Sequence, residues 1–260
     1  MPASIRVEKA GPVGTLLFDH PERRNALTYD MWLAIPGAVA ELAADAAIRV
    51  VVLRGAGEIA FVSGADISEF ERSRSGDGAR EYDAANVRAF QALEGLDKPV
   101  LAQIHGFCIG GGVALALTAD LRYAADDARF AVPAARLGLG YPAAGIETLV
   151  RVTGEPFAKE IFFTARRFTA AEALARRLVN AVLPAADLAA FVAETARSIA
   201  ENAPLTLRSA KIAMRELGRS PAERDLGRIA SSIAGCYASE DYAEGVRAFL
   251  EKRPPVFQGR

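Results

Sequence analysis

The stretch that decides the fold is Lys98-Pro99-Val100-Leu101-Ala102-Gln103-Ile104-His105-Gly106-Phe107-Cys108-Ile109-Gly110-Gly111-Gly112-Val113-Ala114-Leu115-Ala116-Leu117-Thr118-Ala119. From Pro99 to Ala119 it carries no formally charged side chain, a run long enough to cross a bilayer. Gln103, His105, Gly106 and the triplet Gly110-Gly111-Gly112 argue against a span. A strand over Val100 to Ile104, a turn over His105 to Gly110 and a buried helix over Gly111 to Thr118 explain the run better.

The same rhythm surrounds it. Ile5 to Lys9 and Val13 to Phe18 read as a hairpin about the turn Ala10-Gly11-Pro12. Thr28 is placed to cap a helix running to Ala44, which Pro36-Gly37 is expected to kink or split. Arg49 to Leu53 is a β-branched strand ending at Gly55-Ala56-Gly57, and Ile59 to Val62 is a second strand leading into Ser63-Gly64-Ala65-Asp66. Glu71 to Gly78 is polar and glycine-bearing, the pattern of a mobile loop, and a helix follows over 79–96. Leu121 to Ala125 and Arg129 to Val132 form a further pair around Asp126-Asp127. Strand–strand–helix units recurring at this spacing predict a right-handed stack of turns more than one open sheet. From Glu155 the pattern is almost wholly helical, with starts at Thr169, Asp187, Pro204, Pro221 and Ser239. A soft boundary is expected near residue 185, dividing 1–185 from 186–260.

At 260 residues, 51% hydrophobic and 24% charged, the chain fits one large globular domain with a helical appendage. Its 31 basic and 32 acidic residues leave a net charge of −1, which argues against nucleic acid as the main partner. Cys108 and Cys236 form no metal-binding or CxxC pattern, so no metal is expected and a reducing, cytoplasmic compartment is. The N-terminus shows no export or organelle signal, and no membrane partner is expected.

Two glycine-bearing turns are suited to chemistry: Ser63 to Asp66 and Gly110 to Gly112. Each lies where a strand hands over to a helix, where backbone N–H groups are unpaired and the helix dipole favours negative charge. Two such donors converging on one point would stabilise an oxyanion, although glycine content alone also fits plain tight turns. A dinucleotide fingerprint fails because Leu115 stands where its third glycine belongs, and a nucleophile elbow around Ser63 fails at Phe61. Neither His20 nor His105 has a nucleophile near it in sequence, and Cys108 reads as small core packing.

Pro21-Glu22-Arg23-Arg24-Asn25-Ala26-Leu27, Phe61-Val62-Ser63-Gly64-Ala65-Asp66-Ile67, the run from Lys98 to Gly112, Phe168 to Leu174, Leu178-Val179-Asn180, Ala203-Pro204 and Phe249 to Pro254 together resemble the crotonase, or enoyl-CoA hydratase/isomerase, family. The resemblance follows nearly the whole chain in order. It implies an α/β, crotonase-like spiral of stacked ββα turns with a C-terminal helical segment, assembled as a homotrimer or a dimer of trimers. It implies an acyl-CoA substrate, with coenzyme A as part of that substrate and no separate cofactor. The backbone N–H groups of Ala65 and Gly111 match the family's oxyanion hole. Arg23, Arg24 and Ala26, with Ser63, Ala65, Asp66, Ile67 and Ser68, match its coenzyme A site, and Phe249 and Lys252 complete the nucleotide end, often from a neighbouring subunit.

The sequence departs from that pattern where hydratases of the family carry two glutamates: here the positions are Ala114 and Ala134. Carboxylates there activate water and deliver a proton, and methyl groups can do neither. Tyr141 and Glu147 lie where other branches place alternative acids, and Asp66 and Glu69 border the turn. The expected function is an enzyme that stabilises a thioester enolate, of hydratase, isomerase or other lyase type, in fatty-acid or related acyl-CoA metabolism. The alternative is a coenzyme A thioester-binding protein with little or no hydratase activity.

Overall fold

The computed structural model describes residues 3–70, 77–141 and 143–260. Its core is two sheets wound from one spiral. β1 (Ser4–Ala10) and β2 (Val13–Asp19) form the expected antiparallel hairpin. β3 (Val50–Gly55), β5 (Val100–Ile104), β7 (Leu121–Ala125) and β10 (Ala181–Leu183) then add in parallel, giving the order β1-β2-β3-β5-β7-β10. β4 (Ala60–Val62), β6 (Phe107–Ile109), β8 (Arg129–Ala131) and β9 (Phe168–Thr169) build a smaller sheet in that order. The pairs β3/β4, β5/β6 and β7/β8 each send one strand to each sheet, so every turn of the chain stacks on the last. The spiral expected from the sequence is what forms.

Alternation along the strands explains the two packed faces. Val51, Leu53, Val100, Ala102 and Ile104 point into the main core, whereas Val50, Val52, Leu101 and Tyr123 point to the opposite face. That second face is covered by the helix Ala185–Ala200. Into the main core pack α1 (Tyr29–Ala44), α2 (Asp77–Gly95) and α3 (Gly111–Thr118). Thr28 caps α1, its Oγ1 accepting from Met31 N at 3.2 Å. The kink or split expected at Pro36 does not divide α1, which runs unbroken to Ala44. Buried Met31, Trp32 and Ile35 before the proline and Val39 and Leu42 after it pin both halves to one core.

α4 (Ala143–Thr153), α5 (Glu155–Thr164) and the short α6 (Ala170–Ala175) follow, then α7 (Ala185–Ala200), α8 (Pro204–Leu217), α9 (Leu226–Tyr237) and α10 (Glu240–Glu251). α7 covers the outer sheet face through Leu188, Val192, Ala196 and Ala200, a stripe at helical spacing. It begins at Ala185. Thr169 makes a full capping box with Glu172, and Ser239 Oγ accepts from Tyr242 N at 3.0 Å, as their positions suggested. Three sequence expectations need correction. Pro221 opens only a 3-10 turn, and α9 starts later, capped by Asp225. α7 starts two residues before Asp187. The segment 105–110 is not all turn, because Phe107, Cys108 and Ile109 form β6; strand formers between glycines had hidden a strand of three residues. Of the loop expected over Glu71 to Gly78, residues 71–76 lie outside the described residues, and Asp77 and Gly78 already belong to α2.

Two polar residues hold the turns that lead from the large sheet to the small one. Asn25, with φ of 55°, is 1% exposed. Its Nδ2 donates to the carbonyls of Ala60 (2.7 Å) and Ala56 (3.0 Å), and its Oδ1 accepts from His20 N at 3.0 Å. It therefore staples residues 20–27 to the entry of β4. His105, between β5 and β6, is 7% exposed and its Nε2 has no hydrogen-bond partner. Burial pushes its pKa below the ordinary value, against the pull of Asp127.

Replacing Asn25 by Ala removes three hydrogen bonds and puts an L side chain with a Cβ but no local polar compensation into a left-handed conformation. The expected loss is about 3 kcal/mol, read as a lower urea midpoint at unchanged m-value. For His105, both folded and unfolded states are neutral above pH 6.5, the ordinary imidazole value. As pH falls below that, the unfolded chain takes up a proton that the folded site resists, so stability is lost on acidification. His105→Asn should flatten the fall in urea midpoint between pH 7.5 and 5.5; an unchanged slope would assign it to other groups.

Candidate active site

The glycine turn after β6 and the turn after β4 meet in space because their strands pair in parallel: Ala60 lies opposite Phe107 and Val62 opposite Cys108. Gly112, in the first turn of α3, sits against β4 so closely that a Cβ there would overlap the Val62 carbonyl oxygen. Gly110 caps α3 with φ of 54°, a left-handed entry that frees the first N–H groups of the helix. The result is a cleft lined by Ser63, Gly64 and Ala65 from one turn and Ile109, Gly110 and Gly111 from the next. Its walls are apolar: Trp32 and Phe90 from α1 and α2, Ile67 and Phe70 beyond the first turn, and Val132, Pro133, Ala134, Leu137 and Leu139 after β8.

The backbone N–H groups of Ala65 and Gly111 donate to no protein acceptor among the described residues, whereas those of Asp66 and Gly110 beside them are engaged. Gly64 O accepts from Leu27 N at 2.8 Å, Asp66 N donates to Leu27 O at 2.8 Å, and Gly110 N donates to Ala131 O at 2.8 Å. Two unpaired donors thus belong to residues lining one cleft. Such a pair can stabilise a carbonyl oxygen that gains negative charge.

The segments matched to coenzyme A also come together. Ser63 N and Oγ donate to Arg24 O (3.2 Å) and Arg23 O (3.1 Å), and Leu27 bridges Ala65 in parallel. Arg23 and Arg24 are exposed beside this ladder, and the Arg24 guanidinium lies 4.8 Å from the Phe107 ring centroid. Ala26 is buried. Asp66 caps the 3-10 turn Ile67–Glu69, accepting from Ser68 N at 3.0 Å and Ser68 Oγ at 2.7 Å. Burial works to raise its carboxyl, but the Ser68 hydrogen bonds and the charge of Arg23 outweigh it and hold the group below its usual range. Asp66 is therefore a well-satisfied carboxylate and a weak base. Phe249 and Lys252 do not join this group within one chain. Phe249 lies on α10, 84% exposed, along a separate groove bounded by α8, α9 and α10, and Lys252 caps the end of α10.

The acid/base candidates divide. Tyr141 lines the cleft, its ring edge-on to Phe162 of α5 with centroids 5.0 Å apart. Glu147 is exposed on α4 and does not line the cleft. Glu69 does not line it either, and its Oε2 accepts from Tyr29 N at 2.8 Å. Ala134 lines the cleft, whereas Ala114 is buried one turn into α3 and does not. Of the two positions where hydratases of the family carry glutamates, only one lines the cleft. Among the described residues no carboxylate lines the cleft at all.

Sequence reasoning missed Trp32 and Asn86. A Cβ on Gly111 would come within 3.1 Å of Trp32 Cζ2, so the indole forms the floor under the glycine turn. Its Nε1 donates to the Tyr82 hydroxyl at 3.0 Å, and Phe90 packs edge-on to it with centroids 5.6 Å apart. The signal was the helical spacing Tyr82-Asn86-Phe90, legible only once α1 is known to pack on α2. Cys108 is wholly buried, which pushes its thiol pKa up, and it lies beneath the cleft as packing. Among the described residues no helix is long and apolar enough to cross a membrane.

The chain is similar to proteins named as hydratases of coenzyme A thioesters. The chain is 34% identical over 250 residues to a short-chain-enoyl-CoA hydratase from Clostridium acetobutylicum, covering 96% of this chain and 95% of the relative. It is 35% identical over 254 residues to a crotonyl-CoA hydratase from Syntrophomonas wolfei, covering 98% and 97%. A crystal structure described as a putative enoyl-CoA hydratase/isomerase family protein from Hyphomonas neptunium superposes with a TM-score of 0.93 at 39% identity over 98% of both chains. The profile of the enoyl-CoA hydratase/isomerase family matches residues 8–260, and the chain belongs to that family.

Proposed function

We propose that the cleft binds the thioester of an acyl- or enoyl-CoA and stabilises its enolate through the backbone N–H groups of Ala65 and Gly111. The observation that carries this reading is the pair of unpaired donors on residues lining one cleft. Enolate formation moves negative charge onto the thioester oxygen, and donors fixed by backbone geometry meet that charge without reorganising. The apolar walls exclude water, which strengthens both hydrogen bonds. The pantetheine arm and nucleotide run along Arg23, Arg24 and Ala26 and Ser63 to Ser68, where exposed guanidinium groups suit phosphate. Coenzyme A arrives as part of the substrate, with no separate cofactor. Two free cysteines, one wholly buried, fit a reducing cytoplasmic compartment.

Tyr141 is the one acid/base candidate in the cleft among the described residues, and Glu147 is exposed and does not line it. The absence of a lining carboxylate among those residues favours a second reading, a thioester-binding protein with little or no hydratase activity. Turnover of crotonyl-CoA separates the two. Each well-placed acid or base is worth roughly 10²–10⁴ in rate, so slow hydration is expected from a site that has neither glutamate. Hydration at hundreds per second would show that another group moves the proton.

Gly111→Pro tests the donor pair. Gly111 is the first residue of α3, a position that tolerates proline and loses only its N–H, although the ring must displace the Trp32 edge slightly. The expected outcome is a fall of about 10²–10³ in kcat on whichever thioester turns over, with coenzyme A binding weakened less than tenfold. Equal losses in both would assign the effect to disturbed packing.

The C-terminal helices are proposed to build a trimer or a dimer of trimers, in which Phe249 and Lys252 complete the nucleotide end of a neighbouring site. Support comes from the apolar groove beside α10 and from Met214 and Phe249, 72% and 84% exposed. Sedimentation should give a mass three or six times 27.6 kDa; a monomer that turns over acyl-CoA at full rate would overturn the arrangement.

A further inference from the structure

Resting on the oxyanion reading of the cleft, we infer that Trp32 is a positioning residue for the Gly111 donor. With Leu27, earlier in the same segment, it fixes the spacing between the two backbone N–H groups.

The donors sit on separate turns, and one short stretch of chain touches both. Leu27 bridges Ala65 in parallel, its N–H donating to Gly64 O at 2.8 Å and its carbonyl accepting from Asp66 N at 2.8 Å. Ala65 is therefore held by a bond on each side of it. Thr28 then caps α1, and Trp32 N donates back to Thr28 O at 3.2 Å. The Trp32 indole ends under Gly111, where a Cβ would stand 3.1 Å from Cζ2 and 3.4 Å from Cη2. The ring is not free to swing clear. It is 1% exposed, its Nε1 donates to the Tyr82 hydroxyl at 3.0 Å, and Phe90 packs edge-on against it. From Leu27 to Trp32 the chain thus acts as a gauge, bonded to one turn and wedged under the other.

The glycine triplet shows where the wedge matters. Gly110 takes a left-handed φ of 54°, and Gly112 leaves room for the Val62 carbonyl. Gly111 does neither: it opens α3 without a positive φ, and the only atoms its Cβ would meet among the described residues are those two of the indole. Alanine there would favour the helix were the indole not in the way. The bare Cα lets the aromatic edge rest against the main chain that carries the donor. Close-packed contacts of this kind transmit small displacements, and a donor pair acting on one developing charge is sensitive to them.

The test reads the donors without requiring turnover. Acetoacetyl-CoA gives its Cα proton to solvent and becomes an enolate with its own near-ultraviolet band, and a donor pair on the thioester oxygen lowers the pH at which the bound ligand does so. Wild-type protein should show that shift. Trp32→Phe lacks the outer ring and the indole donor, and should lose about tenfold of the enolate preference while butyryl-CoA binding, read by calorimetry, weakens less than about threefold. Gly111→Ala should lose a similar amount by crowding the indole. The combination is decisive: Trp32→Phe opens room for the methyl group, so the double variant should hold the enolate better than Gly111→Ala alone. Tyr82→Phe unties the indole but keeps every ring, and should move the enolate in the same direction if Trp32→Phe fails to fold. A full enolate shift in both aromatic variants, or a double variant whose losses simply add, would overturn the inference and leave Trp32 a packing residue. Wild-type protein that binds both thioesters without moving the enolate equilibrium would instead sink the oxyanion reading, and this inference with it.

Discussion

The site depends on one close approach, that of α3 to β4 at Gly112. With no side chain there, the helix rests against the Val62 carbonyl, and the first turn of α3 comes level with the turn Ser63 to Asp66. Parallel pairing of β4 and β6 sets the height, and the glycine sets the depth. Any larger residue would lift α3 by the thickness of a methyl group, and the proposed donor pair, which needs both N–H groups to reach one oxygen, would not tolerate such a shift. The rest of the fold keeps that contact in register. Asn25 ties residues 20–27 to β4, and Lys211 on α8 reaches across to the Lys98 carbonyl (2.8 Å) and Asp120 (2.6 Å) at the entry to β5.

The sequence showed this architecture unevenly, for physical reasons. The strands of the large sheet were legible because both of its faces are buried, giving dense runs such as Val50 to Leu53. Helix starts at Thr28, Thr169 and Ser239 were legible because capping is local chemistry, written in the residue and its third neighbour. β6 was not legible. A strand of three residues between two glycines has no period to detect, and only its pairing with β4 and β8 makes it a strand. Pro36 misled for the opposite reason: the local cost of an interior proline was real, but the buried stripe of α1 outweighed it.

The candidate site divides in the same way. That the two glycine turns would meet was readable, because glycine at a strand-to-helix turn is a statement about main-chain geometry, and both turns line the cleft. The site's side-chain part was not. Glu147 and Tyr141 stand six positions apart and looked equivalent, yet the turn into α4 puts the tyrosine on the cleft and the glutamate on the surface. Ala114 and Ala134 looked equivalent too, and only Ala134 lines the cleft. Those differences are set by how helices pack, which no window of a few residues contains.

An apolar cleft with two unpaired backbone donors has a definite electrostatic character. Among the described lining residues there is no carboxylate, so nothing there opposes negative charge on a bound oxygen. In such surroundings the field of two fixed N–H dipoles is weakly screened and acts almost wholly on the ligand. A neighbouring glutamate would work against an enolate while it remained ionised, and its replacement by alanine removes that opposition along with the proton transfer. In the proposed reading, alanine at these positions moves the site away from adding water and toward holding a charged thioester. In that same reading, chemistry that needs a stabilised enolate, with its proton managed by Tyr141, is served better by this cleft than water addition is.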